Sequence, residues 1–260
     1  MDTVYIIKIG GNIIDNEAAL QSFLQQFATV PGKKILVHGG GKLATQMAER
    51  LGIDQQLVDG RRITDAETLK IVTMVYAGYI NKNIVAQLQS HGVNAIGLTG
   101  ADGNMILAHK RRHPITDYGF VGDIDSVNAA FITGLLDQDM TIIAAPVTHD
   151  KNGQLLNTNA DTIAQELATA LGERYAVQLV YCFEKKGVLL DTNDENSVIP
   201  KIDSAGYAEL KSKQLIFAGM IPKLDNAFAA LQKGVKQVII GNAGELDRLI
   251  NGSGGTAIQL

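Results

Sequence analysis

The chain has 260 residues, 46% of them hydrophobic, and a formal net charge of −4. That length supports one large or two modest domains around a substantial core, and the slightly acidic balance gives no electrostatic footprint for nucleic acid or an anionic membrane. The single cysteine, Cys182, excludes an internal disulfide and forms no metal-type cluster with the five histidines, which points to a reducing, cytoplasmic setting; no cleavage signal or membrane-length apolar run opposes it.

Short β-branched runs alternate with longer segments of helical period, the pattern of an α/β protein with a largely parallel sheet. Residues 4–9 read as a strand, 17–27 as a helix, 34–38 as a strand, and 42–51 as a helix opening directly from a triple glycine. Thr64 and Glu67 predict a capping box for one long helix, in which Leu69, Val72, Tyr76, Ile80, Ile84 and Leu88 recur at three- and four-residue spacing until Gly92. The sheet resumes at 94–98. Residues 109–121, rich in charge and turn formers, predict an excursion such as a β-hairpin, followed by a helix over 126–137, a buried strand over 141–147, a turn at 150–153 and a helix from about Ala160. A second stretch opens near residue 176 with a strand through Cys182, a glycine turn at Gly187, a further short strand and a polar turn at 191–197. Helices over 205–213, 220–233 and 245–250 and strands over 236–240 and 256–259 complete the chain. The break near 172–175 predicts two lobes, 1–172 and 173–260, sharing one continuous sheet.

Two strand ends carry glycine turns: Lys8-Ile9-Gly10-Gly11 and His38-Gly39-Gly40-Gly41. Glycine lets backbone N–H groups approach an anion, a following helix adds its positive dipole end, and Lys8 adds a full charge. The spacing excludes the common alternatives. Leu43 after Lys42 leaves no P-loop hydroxyl, neither cluster makes G-x-G-x-x-G, and no G-x-S-x-G supplies an esterase nucleophile. The run His109-Lys110-Arg111-Arg112-His113 is read as a solvated hairpin face.

Six segments in order resemble the amino acid kinase family over essentially the whole chain, and within it the acylglutamate branch. They are Lys8-Ile9-Gly10-Gly11, Val37 to Gly41, Gly60-Arg61-Arg62-Ile63-Thr64, Asn157-Thr158-Asn159-Ala160-Asp161, Gly219-Met220-Ile221-Pro222-Lys223 and Gly255-Thr256-Ala257-Ile258. Phe120-Val121-Gly122-Asp123 is similar to the branch's substrate-side loop. The resemblance implies a three-layer αβα sandwich around a mainly parallel central sheet. The implied reaction is phosphorylation by ATP of the side-chain carboxylate of an N-acylated glutamate, acetylated in preference to succinylated, in arginine and ornithine biosynthesis. Such a carboxylate is already ionised at neutral pH and needs no general base, so the protein must instead supply cations and N–H donors.

By resemblance, Lys8 and Lys223 stabilise the transferring phosphoryl group, Asp161 orients both ammonium groups, and Gly10, Gly11 and Gly40 donate N–H groups. Gly40, Gly41, Arg62 and Asn157 bind the acylated amino acid, the planar fork of Arg62 suiting its α-carboxylate. Lys223 equally fits the polar face of its helix, and Asp161 fits a helix N-terminal acid. On the nucleotide side Phe183-Glu184-Lys185-Lys186-Gly187 departs from the family's usual Ser/Thr-Asp-Val-x-Gly turn, leaving Glu184, Gly187, Gly219 and Met220 as the weaker candidates. Magnesium is expected to arrive on the nucleotide, with no protein ligand assigned. The N-terminal lobe is expected to bind acylglutamate and dimerise, and the C-terminal lobe to bind ATP. The short segment before Lys8 lacks the extra helix of arginine-sensitive relatives, so an arginine-insensitive homodimer is expected. A non-catalytic amino-acid sensor of the same fold is the alternative from another class; the joint presence of Lys8, Asp161 and Lys223 argues against it.

Overall fold

The computed structural model describes residues 1–58, 61–191, 193–213, 215–216 and 220–260, without the side chains of Arg61 and Pro222. The elements run β1 (Thr3–Ile9), α1 (Gly11–Ile14), α2 (Glu17–Thr29), β2 (Lys33–His38), α3 (Gly41–Arg50), β3 (Leu57–Val58), β4 (Arg61–Arg62) and α4 (Ala66–Thr73). A π-helical stretch, Met74–Ile80, joins α4 to α5 (Asn81–Ser90), followed by β5 (Ala95–Leu98), β6 (Ile106–Lys110), β7 (Gly122–Val127) and α6 (Ala129–Leu136). Then come β8 (Thr141–Ala144), β9 (Val147–His149), β10 (Leu155–Asn157), α7 (Ala160–Leu171) and β11 (Ala176–Phe183). The chain ends with β12 (Lys201–Ile202), α8 (Ser204–Ser212), α9 (Ile221–Gln232), β13 (Gln237–Asn242), α10 (Leu246–Ile250) and β14 (Thr256–Ile258).

The central sheet has the order β12-β14-β13-β11-β1-β2-β8-β5 and is parallel except where β13 meets β14. Its strands are apolar on both faces because helices cover both. Along β1, Val4 and Ile6 enter one core with α7 and α9, while Ile7 and Ile9 enter the other with α2, α5 and the π-helical stretch. The two halves of the chain share this sheet, β11 pairing with β1 from Thr3↔Ala176 to Ile9↔Cys182. Burial on the second face pushes the Cys182 thiol up to about 12. A smaller, separate sheet has the order β10-β9-β6-β7.

Four expectations are corrected. Asp65, not Thr64, caps the long helix, its carboxylate accepting from Thr68 N–H, because Thr64 is tied by its own N–H to the Tyr118 carbonyl at 2.9 Å. The helix is not regular throughout but passes through the π-helical stretch. Ser126 and Val127 belong to β7, so the following helix starts only at Ala129, capped by Asn128. The strand expected over 141–147 breaks at Pro146, where the chain leaves the central sheet for the smaller one. Proline cannot donate to a ladder, which accounts for the break. The hairpin is present, with β6 and β7 as its arms and 111–121 as its connection.

Candidate active site

At the carboxyl ends of β1 and β2, where open α/β sheets bind ligands, the two glycine turns lie side by side. Gly39 N–H donates to the Ile9 carbonyl at 3.1 Å, bringing His38–Gly41 against Gly10 and Gly11. Gly10 precedes α1 and Gly40 precedes α3, so both helix starts face the same end of the sheet. Gly40 has φ +150°, and a Cβ there would run into Ile80 and Tyr76. Only glycine satisfies both conditions.

Alternation along β1 turns Lys8 to the face of Val4 and Ile6, the face that α7 covers, and Asp161 sits in the first turn of α7. Lys8 Nζ lies 2.7 Å from Asp161 Oδ1, with the two side chains 12% and 16% exposed. The contact is an ion pair without the angle of an aligned hydrogen bond, since Asp161 Oδ1 has no donor of that geometry. Burial pushes the Asp161 carboxyl up, but Lys8 and then Lys223 outweigh it and leave it below its ordinary value. Lys223, in the first turn of α9, stands 5.9 Å from the centroid of Phe183.

A cleft of about 1280 Å³ reaches Asp161 and Lys223 and is lined also by Gly40, Gly41, Arg62 and Asn157, whereas Lys8, Gly10 and Gly11 are not among its described lining residues. It contains residues of both halves of the chain. Arg62 is already engaged, Nη2 donating to the Gly41 carbonyl and Thr45 Oγ1 at 2.8 Å each and Nη1 to Gln55 Oε1. Asn157 Nδ2 donates to Thr64 Oγ1 at 3.0 Å, which joins two of the six sequence segments. Asp15, just after α1, has both carboxylate oxygens buried without a hydrogen-bond partner; burial pushes it up against the pull of Lys42.

Glu184, Gly187 and Met220 are not among the described residues lining this cleft. The Glu184 carbonyl accepts from Asn242 Nδ2 at 2.6 Å. At Gly187 a Cβ would press on Thr256 and Val198, and Met220 precedes α9. Gly219 lies outside the described residues, as does Gly60. Among the described residues no group of three or more His, Cys, Asp or Glu is placed to hold a metal ion.

In the basic run His109, Lys110, Arg112 and His113 are exposed as expected, and one residue departs. Arg111 is not solvated but 18% exposed, lines the cleft and holds Asp123 through Nε and Nη2 at 2.6 to 3.2 Å, with Tyr118 beneath it. Sequence reasoning also missed Thr45, Glu49 and Asn226 as lining residues. Thr45 and Glu49 follow Gly41 at four-residue steps on α3, a helical signal that was available once Gly41 was placed. Tyr76 was read only as core.

Fold and site together define an open α/β protein with a charged cleft at the carboxyl ends of its central parallel strands. A family profile described as the amino acid kinase family matches residues 3–242, and the chain belongs to that family. It is 61% identical over 254 residues to the acetylglutamate kinase of Cytophaga hutchinsonii, covering 96% of both chains. It is 55% identical over 246 residues to that of Parabacteroides distasonis, covering 95% of this chain and 96% of the relative. For the fold alone, an N-acetylglutamate synthase of Neisseria gonorrhoeae, solved with coenzyme A and N-acetyl-glutamate, superposes with a TM-score of 0.85 at 21% identity. That match covers 99% of this chain and 59% of the other.

Proposed function

We propose that this protein transfers the γ-phosphoryl group of ATP to the side-chain carboxylate of N-acetyl-L-glutamate, giving ADP and the acyl phosphate, in arginine and ornithine biosynthesis. The observation that carries the reading is the partly buried Lys8–Asp161 pair with Lys223 beside two adjoining glycine turns; the names of relatives at 55 to 61% identity point the same way. A carboxylate oxygen attacks the γ-phosphorus as the bond to the β,γ-bridging oxygen breaks, and that electron pair leaves with ADP. No proton moves at the acceptor. The obstacle is the meeting of two anions, which Lys8 and Lys223 relieve while Asp161 holds the ammonium groups in place. Gly10, Gly11 and Gly40 offer N–H groups to the phosphoryl oxygens. Gly40, Gly41, Arg62 and Asn157 take the acylated amino acid. Magnesium enters bound to the nucleotide as part of that substrate.

The lobe 1–172 would hold acylglutamate and form a homodimer in the cytoplasm, and 173–260 would hold ATP, with Glu184, Gly187, Gly219 and Met220 near it. A coupled ADP-release assay with acetyl-, succinyl- and free glutamate tests the reading: turnover with N-acetyl-L-glutamate supports it, and no turnover with any acylglutamate overturns it. N-succinyl-L-glutamate is the second reading; Arg111 stands on the cleft wall where a second carboxylate would need a cation, but Asp123 already pairs with it, which favours the acetyl compound.

A further inference from the structure

We propose that His38 is a positioning residue whose Nδ1–H clamps the Gly39 carbonyl toward the core and thereby turns the Gly40 N–H into the cleft, an inference that rests on the phosphoryl transfer proposed above. His38 ends β2 and is wholly buried. Alternation puts it on the face of Leu36, beneath the π-helical stretch and α5. Its Nδ1 lies 2.8 Å from the Gly39 carbonyl oxygen, which can only accept, so Nδ1 carries the proton. Nε2 is then bare and accepts from Asn81 Nδ2 at 3.2 Å. Asn81 cannot be turned over, because the same Nδ2 donates to the Ile143 carbonyl at 2.9 Å and Oδ1 receives Lys82 Nζ at 3.2 Å. Lys82 Nζ also donates to the Gly97 carbonyl at 2.8 Å, so the imidazole is anchored to both β8 and β5. Burial pushes its titration down to about 4, which keeps the neutral tautomer.

The consequence follows from peptide geometry. The Gly39–Gly40 bond is trans, and in a planar trans peptide the C=O and the next N–H point in opposite directions. A Gly39 carbonyl held toward His38 therefore directs the Gly40 N–H away from the core, and Gly39, Gly40 and Gly41 line the cleft. None of the described backbone carbonyls accepts from Gly40 N–H. The next peptide is fixed by the helix, the Gly40 carbonyl accepting from Ala44 N–H at 3.1 Å. Three glycines in a row leave this peptide otherwise free to rotate, and among the described residues His38 is the one donor to the Gly39 carbonyl. A leucine would fill the same space and clamp nothing.

The test uses the full chain with His38→Leu, His38→Asn and His38→Gln, each checked for fold by circular dichroism and melting. Asparagine places an amide donor near Nδ1; glutamine places one near Nε2. His38→Leu is expected to lower kcat on the order of tenfold to a hundredfold and to raise KM for N-acetyl-L-glutamate, to which Gly40 is also assigned, with KM for ATP within about threefold. His38→Asn should recover most of that loss and His38→Gln should not. If His38→Leu does not fold, the Asn and Gln variants decide between themselves. Equal kcat for those two, or wild-type kcat in a folded His38→Leu, overturns the proposal. Nitrogen-15 spectra of labelled histidine give a readout that needs no turnover: protonated Nδ1 and bare Nε2 are expected, and the opposite tautomer overturns the clamp. A wild-type protein inert toward acylglutamate would sink the functional reading while leaving this tautomer measurement to stand or fall by itself.

Discussion

Lys8, Asp161 and Lys223 come from a strand and two helices that meet at one end of the sheet, and each charge answers the others. Lys8→Ala or Lys223→Ala is expected to lower kcat on the order of a hundredfold or more with little change in melting, and unchanged kcat would remove that residue from the chemistry. Asp161→Asn should slow turnover by loosening both ammonium groups. Its effect on stability has a defined sign. The folded carboxyl lies below its ordinary value, so the pair contributes fully above the unfolded pKa of about 3.9 and is lost as pH falls through the lower folded value. Denaturation of wild type and Asp161→Asn should therefore differ at neutral pH and converge in acid. Arg62→Ala is expected to raise KM for acylglutamate more than for ATP, with Arg61→Ala as the control. Arg111 bears on the acyl group. Asp123 already neutralises it, so acetylglutamate should show the higher kcat/KM; should succinylglutamate win, Arg111→Ala must abolish the preference or Arg111 is not its source. Residue type and order were enough to nominate Lys8, Asp161, Lys223 and Arg62. Arg111 was not legible, because a basic run reads alike on a solvated hairpin and on a loop folded over a cleft, and the carboxylate that decides is twelve residues away.

Among the elements, strands buried on both faces were the most legible, since a short apolar run between turns admits few other readings. The failures are local competitions. Thr64 and Glu67 fit a capping box, yet Thr64 is drawn into a bridge with Gly119 and its neighbour Asp65 takes over the cap. Asp65→Ala is expected to cost about 1 kcal/mol, seen as a melting decrease of about 2–4 °C, and an unchanged melting temperature would remove Asp65 as the cap. The Thr68 N–H bond holds the Asp65 carboxyl below its ordinary value, so the difference between wild type and Asp65→Ala should fade in acid. The π-helical stretch left no mark in the three- and four-residue apolar spacing. Wide turns of this kind cluster at functional sites, and here Tyr76 and Ile80 close over Gly40.

For the whole molecule, the proposed homodimer would need an exposed apolar face. Met74 and Tyr79 are 57% and 67% exposed on the π-helical stretch, beside side chains of the same stretch that are buried. Light scattering should give twice the chain mass, Tyr79→Glu should reduce it, and a monomeric wild type would refute the assembly. The division expected at residue 172 rests on a change of run in the sequence, and the pairing across it was not legible, because partners far apart in sequence leave no periodic trace. The two halves meet along β1 and β11, seven residue pairs in register through the middle of the sheet. A seam of that kind cannot swing like a door. If 173–260 holds ATP as proposed, any approach of its helices to the other half would have to be taken up as elastic torsion of a ladder that runs unbroken through eight strands.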